Sequence, residues 1–153
     1  QLLKDLNTLA YYDQPYPKSL ANDFGTEVIF PMIKNSGSST SDALRTYVEH
    51  IVSQIKDAAA KLLIHSSHAR PYQLLASGGG AHNSFLIERL RQALSSLELT
   101  LMVPEKTVID FKEASIMAFI GLLRWREENN VIPSVTGAIR SSIGGAVWMG
   151  LEA

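Results

Sequence analysis

The sequence has 153 residues, of which 46% are hydrophobic and 19% charged, enough for one domain with its own core. Fourteen Lys and Arg stand against 15 Asp and Glu, a formal net charge of -1, which excludes the basic surface of a nucleic-acid binder. The lack of cysteine excludes a disulfide framework, a zinc–thiolate site and a Cys nucleophile, and it suits a reducing, cytoplasmic setting.

No apolar run reads as a membrane span, and no signal peptide is visible. The first residue is Gln1 rather than Met, so the chain reads as a fragment. Residues 1–40 read as an irregular segment and 41–153 as an α/β core. A short amphipathic helix is expected over Leu2–Ala10, and Pro15 and Pro17 then impose an extended turn. The clearest helix follows. Leu44, Tyr47, Val48, Ile51, Val52, Ile55, Ala58, Ala59, Leu62 and Leu63 form one apolar stripe, with Thr40 or Ser41 as its cap. Arg45, Glu49, Lys56 and Lys61 fall on its wet side.

Tyr72–Ser77 reads as a short buried strand, Ser84–Leu94 as a helix with Leu86, Ile87, Leu90, Ala93 and Leu94 inward, and Leu97–Val103 as a second strand. Asp110–Glu127 is a helix apolar on nearly all sides, which predicts a central position. "IGGAVWMG" reads as a last strand. Trp125 and Trp148 are expected in the core or at its edge. Helix, strand, helix, strand, helix is the order of an α/β fold with a parallel strand pair, a short sheet packed by helices.

The stretch "LLASGGGAHNSFLIERL" joins a strand to a helix through Gly78, Gly79 and Gly80. A helix start presents N–H groups without intrahelical partners, at the positive end of the dipole. Glycines admit positive φ and let a ligand approach the backbone. Phosphate or a polar part of a nucleotide can bind at such a junction. Asn83 stands where a dinucleotide fingerprint has its third glycine, and no Lys-Ser/Thr pair completes a P-loop. Ligand contact and a tight βα turn with Asn83 as helix cap both stand at this point. His82 has no nearby partner in sequence for a triad.

Asp110 and Glu113 have the spacing of a capping box, with an acidic group at a cleft edge as the functional alternative. Lys18 and Ser19 follow a proline turn, where a lysine can reach a phosphate or simply be solvated. Pro133–Ala138 is a loop of small residues. His50, His65 and His68 lack metal-ligand company and read as surface residues, and no metal site is expected.

Five motifs in order, "PYPKSL", "GGGAHNSFLIERL", "IDFKEASIMAFIGLLR", "PSVTGA" and "IGGAV", resemble the C-terminal part of anhydro-N-acetylmuramic acid kinase, from about Leu6 to the end. That family lies in the sugar kinase, Hsp70 and actin superfamily. The resemblance implies a partial C-terminal lobe of an actin-like (ribonuclease H-like) fold. It also implies an enzyme that opens the 1,6-anhydro ring of anhydro-N-acetylmuramic acid with water and phosphorylates O6 with ATP and Mg²⁺, in cell-wall recycling. Gly78, Gly79, Gly80 and Asn83 match the turn that lies against adenosine in that superfamily. Glu113 matches the acidic residue on the sugar side of the cleft. Lys18 and Ser19 match its Pro-Lys-Ser motif without an assigned role.

Two parts of the family pattern are missing: the Gly-Thr-Ser loop for the ATP phosphates, and the aspartate that takes a proton from the attacking water. Both belong upstream of Gln1. No catalytic residue is therefore expected in this chain, which alone should not turn over. Surface meant for the missing N-terminal lobe would be exposed and would favour a homodimer. A stand-alone nucleotide-binding or interaction module is the alternative, and a dehydrogenase half lacks an acidic residue closing the second strand.

Overall fold

The longest apolar stripe of the sequence becomes the longest helix of the computed structural model, which describes residues 1–15, 18–64 and 71–150. The chain divides into two units, Gln1–Val103 and Pro104–Ala153. In the first, α1 (Leu2–Asn7) leads through a 3₁₀ turn (Ala10–Asp13) and a π-helical turn (Phe24–Ile29) into α2 (Phe30–Asn35). Then come α3 (Thr40–Ile64), β1 (Tyr72–Leu75), a 3₁₀ turn (Gly79–His82), α4 (Ser84–Ser95) and β2 (Leu99–Met102).

Much of the segment read as irregular is thus helical. Pro31 lies at the start of α2, directly after the π-helical turn. Leu2, Leu6 and Ile29 are buried together, with Phe24, Met32, Ile33 and Tyr47 packed around them. The expected turn at Pro17 lies outside the described residues.

Helix α3 is capped one residue earlier than its sequence suggested. The Ser39 hydroxyl accepts the Asp42 N–H at 3.1 Å and donates to the Asp42 carboxylate at 2.7 Å. The stripe splits into two seams. Val52 and Ala59 are buried with Leu90, Leu94, Leu99 and Leu101. Ala43 and His50 are buried on another line of the helix, and Tyr47 joins the cluster with α1. Leu44 and Leu62, read as inward, are exposed.

His50, read as a surface residue, is 1% exposed. Asn7 Oδ1 lies 2.6 Å from its Nδ1 and also accepts from Gln54 Nε2 at 3.1 Å. That network places the ring proton on Nδ1, which leaves Nε2 to accept from the Tyr12 hydroxyl at 2.8 Å. Asn7 and Tyr12 thus tie the N-terminal segment to His50 and Gln54 of α3. No local pattern signals this, because a lone histidine reads the same in a helix whichever side it faces.

The two strands pair in parallel, Tyr72 against Leu99 through Leu75 against Met102, and the Ala76 N–H extends the ladder to the Met102 carbonyl. The α/β reading with a parallel pair therefore holds. Among the described residues of the first unit, the helices cover one face of the sheet. Leu99 and Leu101 are buried against α3 and α4, whereas Leu75 is 67% exposed and Met102 44%. Strand β1 alternates half-buried and exposed, so it is not the buried strand its apolar run implied. Parallel sheets are ordinarily covered on both faces.

In the second unit, α5 (Lys106–Trp125) starts four residues before its expected bound, and α6 (Pro133–Thr136) is a single turn where a loop was read. Of the residues of α5 only Ile109 is buried, while Phe111, Met117, Phe119 and Trp125 are each exposed by more than half. The central position expected of it is not found. Hydrophobicity on all sides states that a helix needs cover, not that its own chain supplies the cover. Trp148 is exposed as well, and "IGGAVWMG" forms no strand; Val131 and Ser142 make one isolated antiparallel bridge.

The Asn130 side chain organises that region. It donates to the Ile120 and Gly144 carbonyls at 3.2 Å each and accepts the Gly144 N–H at 2.6 Å. A Cβ on Gly144 would stand 2.8 Å from Val131 Cγ2, a short branched side chain with little room to turn.

Two outcomes follow. Gly144→Ala should destabilise the chain by about 1–3 kcal/mol through overpacking, read as a lowered thermal midpoint. Burial holds the His50 pKa below the usual histidine value. The unfolded chain protonates near pH ~6.5, so His50 contributes stability above that pH and loses it as pH falls through the folded-state pKa. Urea midpoints should fall between pH 7 and pH 5, by less in His50→Gln than in the parent; equal slopes would refute the assignment.

Candidate functional site

The junction between β1 and α4 is built from three local constraints. Gly78 has φ 95°, a conformation that L side chains rarely adopt, and it turns the chain off the end of β1. Gly79–His82 then make one 3₁₀ turn, closed by Ala81 N–H to Gly78 O and Asn83 N–H to Gly80 O. Asn83 leaves that turn with extended backbone, and its Oδ1 accepts the Leu86 N–H at 3.1 Å. The capping role read for Asn83 is thus present, and the α4 N-terminus opens immediately after the glycines.

The corner is bare. Gly79, Gly80 and Asn83 are exposed. A Cβ built on Gly79 meets nothing within 4 Å, and one on Gly80 meets only Leu86 Cδ2 at 3.9 Å. Neither glycine is held at positive φ. Just upstream, at the carboxyl end of β1, the Ser77 hydroxyl is buried with no hydrogen-bond partner among the described residues. A buried hydroxyl left unpaired costs roughly 1–3 kcal/mol.

An open groove of about 680 Å³ begins at this corner, a volume suited to a small organic ligand. Its walls are the first half of α3 (Ser41, Leu44, Arg45, Tyr47, Val48, Ile51) and the start of α4 (Gly80, Asn83, Phe85, Leu86). The lining is mainly apolar, with Arg45 as its charged member. The sequence reading put Arg45 on the wet side and missed the groove. The available signal was an excess: Ser41, Leu44, Arg45, Val48 and Ile51 recur at helical spacing, more surface than the short α4 can cover.

The other candidates fare differently. Glu113 is exposed on α5, in the second unit. The capping box fails. Helix α5 begins at Lys106 after Glu105, so Asp110 lies past the first turn, where it pairs with Lys106. The Asp110 reading relied on a start signal that the chain does not use.

Lys18 is not a solvated lysine. Its Nζ donates to the Tyr11 and Tyr12 carbonyls at 3.1 Å each and stands 4.8 Å from the Tyr11 ring centroid. It therefore caps the 3₁₀ turn at Ala10–Asp13. Ser19 and His82 are exposed, and His65 and His68 lie outside the described residues. Among the described residues no three His, Asp or Glu side chains gather into a metal site, and no helix is long and apolar enough to cross a membrane.

Comparison with known proteins gives one consistent result. The family model of anhydro-N-acetylmuramic acid kinase matches residues 1–150. The kinase of that name from Aliivibrio fischeri is 30% identical over 149 residues, which are 97% of this chain and 40% of the relative. That from Hydrogenovibrio crunogenus is 32% identical over 152 residues, 96% of this chain and 39% of the relative. That from a Synechococcus strain is 27% identical over 140 residues, 90% and 37%. The chain spans about two fifths of the length of these curated relatives. With a family match over nearly its whole length, this chain belongs to the anhydro-N-acetylmuramic acid kinase family.

Proposed function

We propose that the chain forms the nucleotide-binding part of a cytoplasmic, ATP-dependent kinase, within an actin-like C-terminal lobe. The complete enzyme would open the 1,6-anhydro ring of anhydro-N-acetylmuramic acid with water and phosphorylate O6. The observation that carries the reading is the bare glycine corner at the head of α4, continuous with an apolar groove. The adenosine would rest on the Gly79–Gly80 backbone, with the base in the groove and its flat faces against Leu44 and Phe85. The positive end of α4 favours the anionic side of the ligand.

Bound ATP would supply the phosphoryl group. The residues described here provide binding and orientation. No step is assigned to Mg²⁺ in this chain, because no cluster of its described residues fits the ion. Glu113 would accept hydrogen bonds from sugar hydroxyls. The exposed apolar surface of α5 would be covered by the remaining lobe or by a second copy. The chain alone binds without transferring phosphate, since the base and phosphate loop of the family belong to the length it does not span. A module that only binds nucleotide shares the same corner and groove.

Gly79 permits a clean test, because its side of the turn is empty. Gly79→Ala and Gly79→Val should both leave the chain folded, with the alanine variant slightly raised in thermal midpoint. The valine variant should weaken ATP by at least about tenfold in a fluorescence titration, a loss of roughly 1.4 kcal/mol. Undiminished affinity in a folded valine variant would sink the reading. The chain mixed with ATP and the anhydro sugar should yield no phosphorylated sugar by mass spectrometry; product formation would show that it holds its own catalytic base.

A further inference from the structure

Tyr47 serves two sides of α3 at once. It lines the groove beside the glycine turn. It also packs against the cluster of Leu2, Leu6 and Ile29, and its ring stacks on His50 with centroids 6.2 Å and planes 23° apart. What seats the N-terminal segment on α3 therefore also seats one wall of the groove.

That seat depends on a neutral imidazole. His50 is buried, its Nδ1 lies 2.6 Å from Asn7 Oδ1, and its Nε2 faces the Tyr12 hydroxyl at 2.8 Å. Burial and the neighbouring Tyr47 and Tyr11 raise the Tyr12 pKa, which keeps that hydroxyl a donor toward Nε2. A proton arriving at Nε2 meets a donor already in place, so the hydroxyl has to turn away, and the new charge stands in a buried site. Tyr12 and Tyr47 are the titratable groups against the ring, with Tyr11 beyond Tyr12. The charged groups of the surrounding elements are engaged elsewhere or face water. Asp5 of α1 accepts from Gln1 at 2.6 Å, Lys18 sits on the Tyr11 and Tyr12 carbonyls, and Glu49 pairs with Arg89 of α4. Lys4, Asp13 and Asp57 are exposed, as are Asp23, Glu27 and Lys34 of the turns that follow α1.

We infer that His50 is a positioning residue: its neutral ring holds the N-terminal segment on α3 and, through Tyr47, one wall of the groove, so that acid loosens both together. This rests on the nucleotide reading above for the ligand and adds to it a pH control. Burial lowers the His50 pKa, so the attached form is complete above pH ~6.5 and is lost as pH falls through the folded-state value.

The test is direct titration of the 153-residue chain with fluorescent N-methylanthraniloyl-ADP, in half-unit steps from pH 7.5 to 5.5, for the parent, His50→Gln and Tyr12→Phe. Over this interval the parent should lose about fivefold more affinity than His50→Gln, a modest coupling between two places in one chain. By hydrogen exchange, corrected for intrinsic rates, the amides of α1 and α2 should lose protection in the parent while those of α4 keep theirs. Tyr12→Phe removes the donor to Nε2 and makes the ring easier to protonate, so its affinity should begin to fall at a higher pH than the parent's. The nucleotide and His82 beside the turn are common to all three proteins and cancel in the comparison. Equal losses in the parent and a folded His50→Gln variant, or a Tyr12→Phe profile that coincides with the parent's, overturn this inference and leave the nucleotide reading intact. Where His50→Gln binds poorly throughout, the Tyr12→Phe profile decides alone. No saturable binding by the parent at pH 7.5 overturns both.

Discussion

The docking of α4 on α3 is the contact on which the candidate site depends. Val52 and Ala59 of α3 meet Leu90 and Leu94 of α4, and both helices cover Leu99 and Leu101 of β2. Each buried leucine contributes roughly 1.5–3 kcal/mol, so this seam outweighs any polar link between the helices. Arg89 adds direction. Its Nε and Nη2 bond the two Glu49 carboxylate oxygens at 2.7 and 3.1 Å, and that hydrogen-bonded pairing raises the Arg89 pKa. This exposed fork joins α4 to α3 in two parallel hydrogen bonds. The groove is what remains where the seam stops. Toward the start of α3 the helices no longer touch closely, and Leu44 and Phe85 are left uncovered on facing walls.

The same helix carries the N-terminal segment on another side. Tyr12 and Asn7 converge on His50, Gln54 donates to the same Asn7 oxygen, and Lys18 holds the turn that presents the two tyrosines. Protonating a buried imidazole without a carboxylate partner is costly, so this attachment is electrostatically neutral by construction. It fixes the outer side of α3 while α4 fixes the inner one. Helix α3 is thus held along two lines, with the groove at its start.

How much of this was legible depended on the range of the interaction. Helix α4 was read nearly to its bounds, because its stripe, its cap at Asn83 and its stop are all local. The parallel pairing was legible for the same reason: strand, glycine turn, helix, strand allows few other topologies. His50 and Lys18 were misread because their partners lie 38 to 43 and six to seven residues away, beyond any periodicity. The capping box at Asp110 failed because a correct spacing occurred one turn inside a helix that had already begun. Helix α5 was read correctly as a helix and wrongly as a central one; pattern reports which surface avoids water, and says nothing of who covers it.

The glycines show what a sequence motif alone could not separate. Gly78 is required by the chain itself, since its φ of 95° strains any residue with a Cβ. Gly144 is required by packing, since a Cβ there would press on Val131. Gly79 and Gly80 are required by neither. Their backbone is helical, their Cβ positions point into open space or ordinary contact, and alanine would fit both. Glycine at such positions costs roughly 0.5–1 kcal/mol each relative to alanine, through the freedom lost on folding. A fold that bears this cost twice in succession, beside an unpaired hydroxyl and at the mouth of a groove, gains nothing from it internally. On the nucleotide reading proposed above, the compensation comes from a ligand that approaches closer than a methyl group allows.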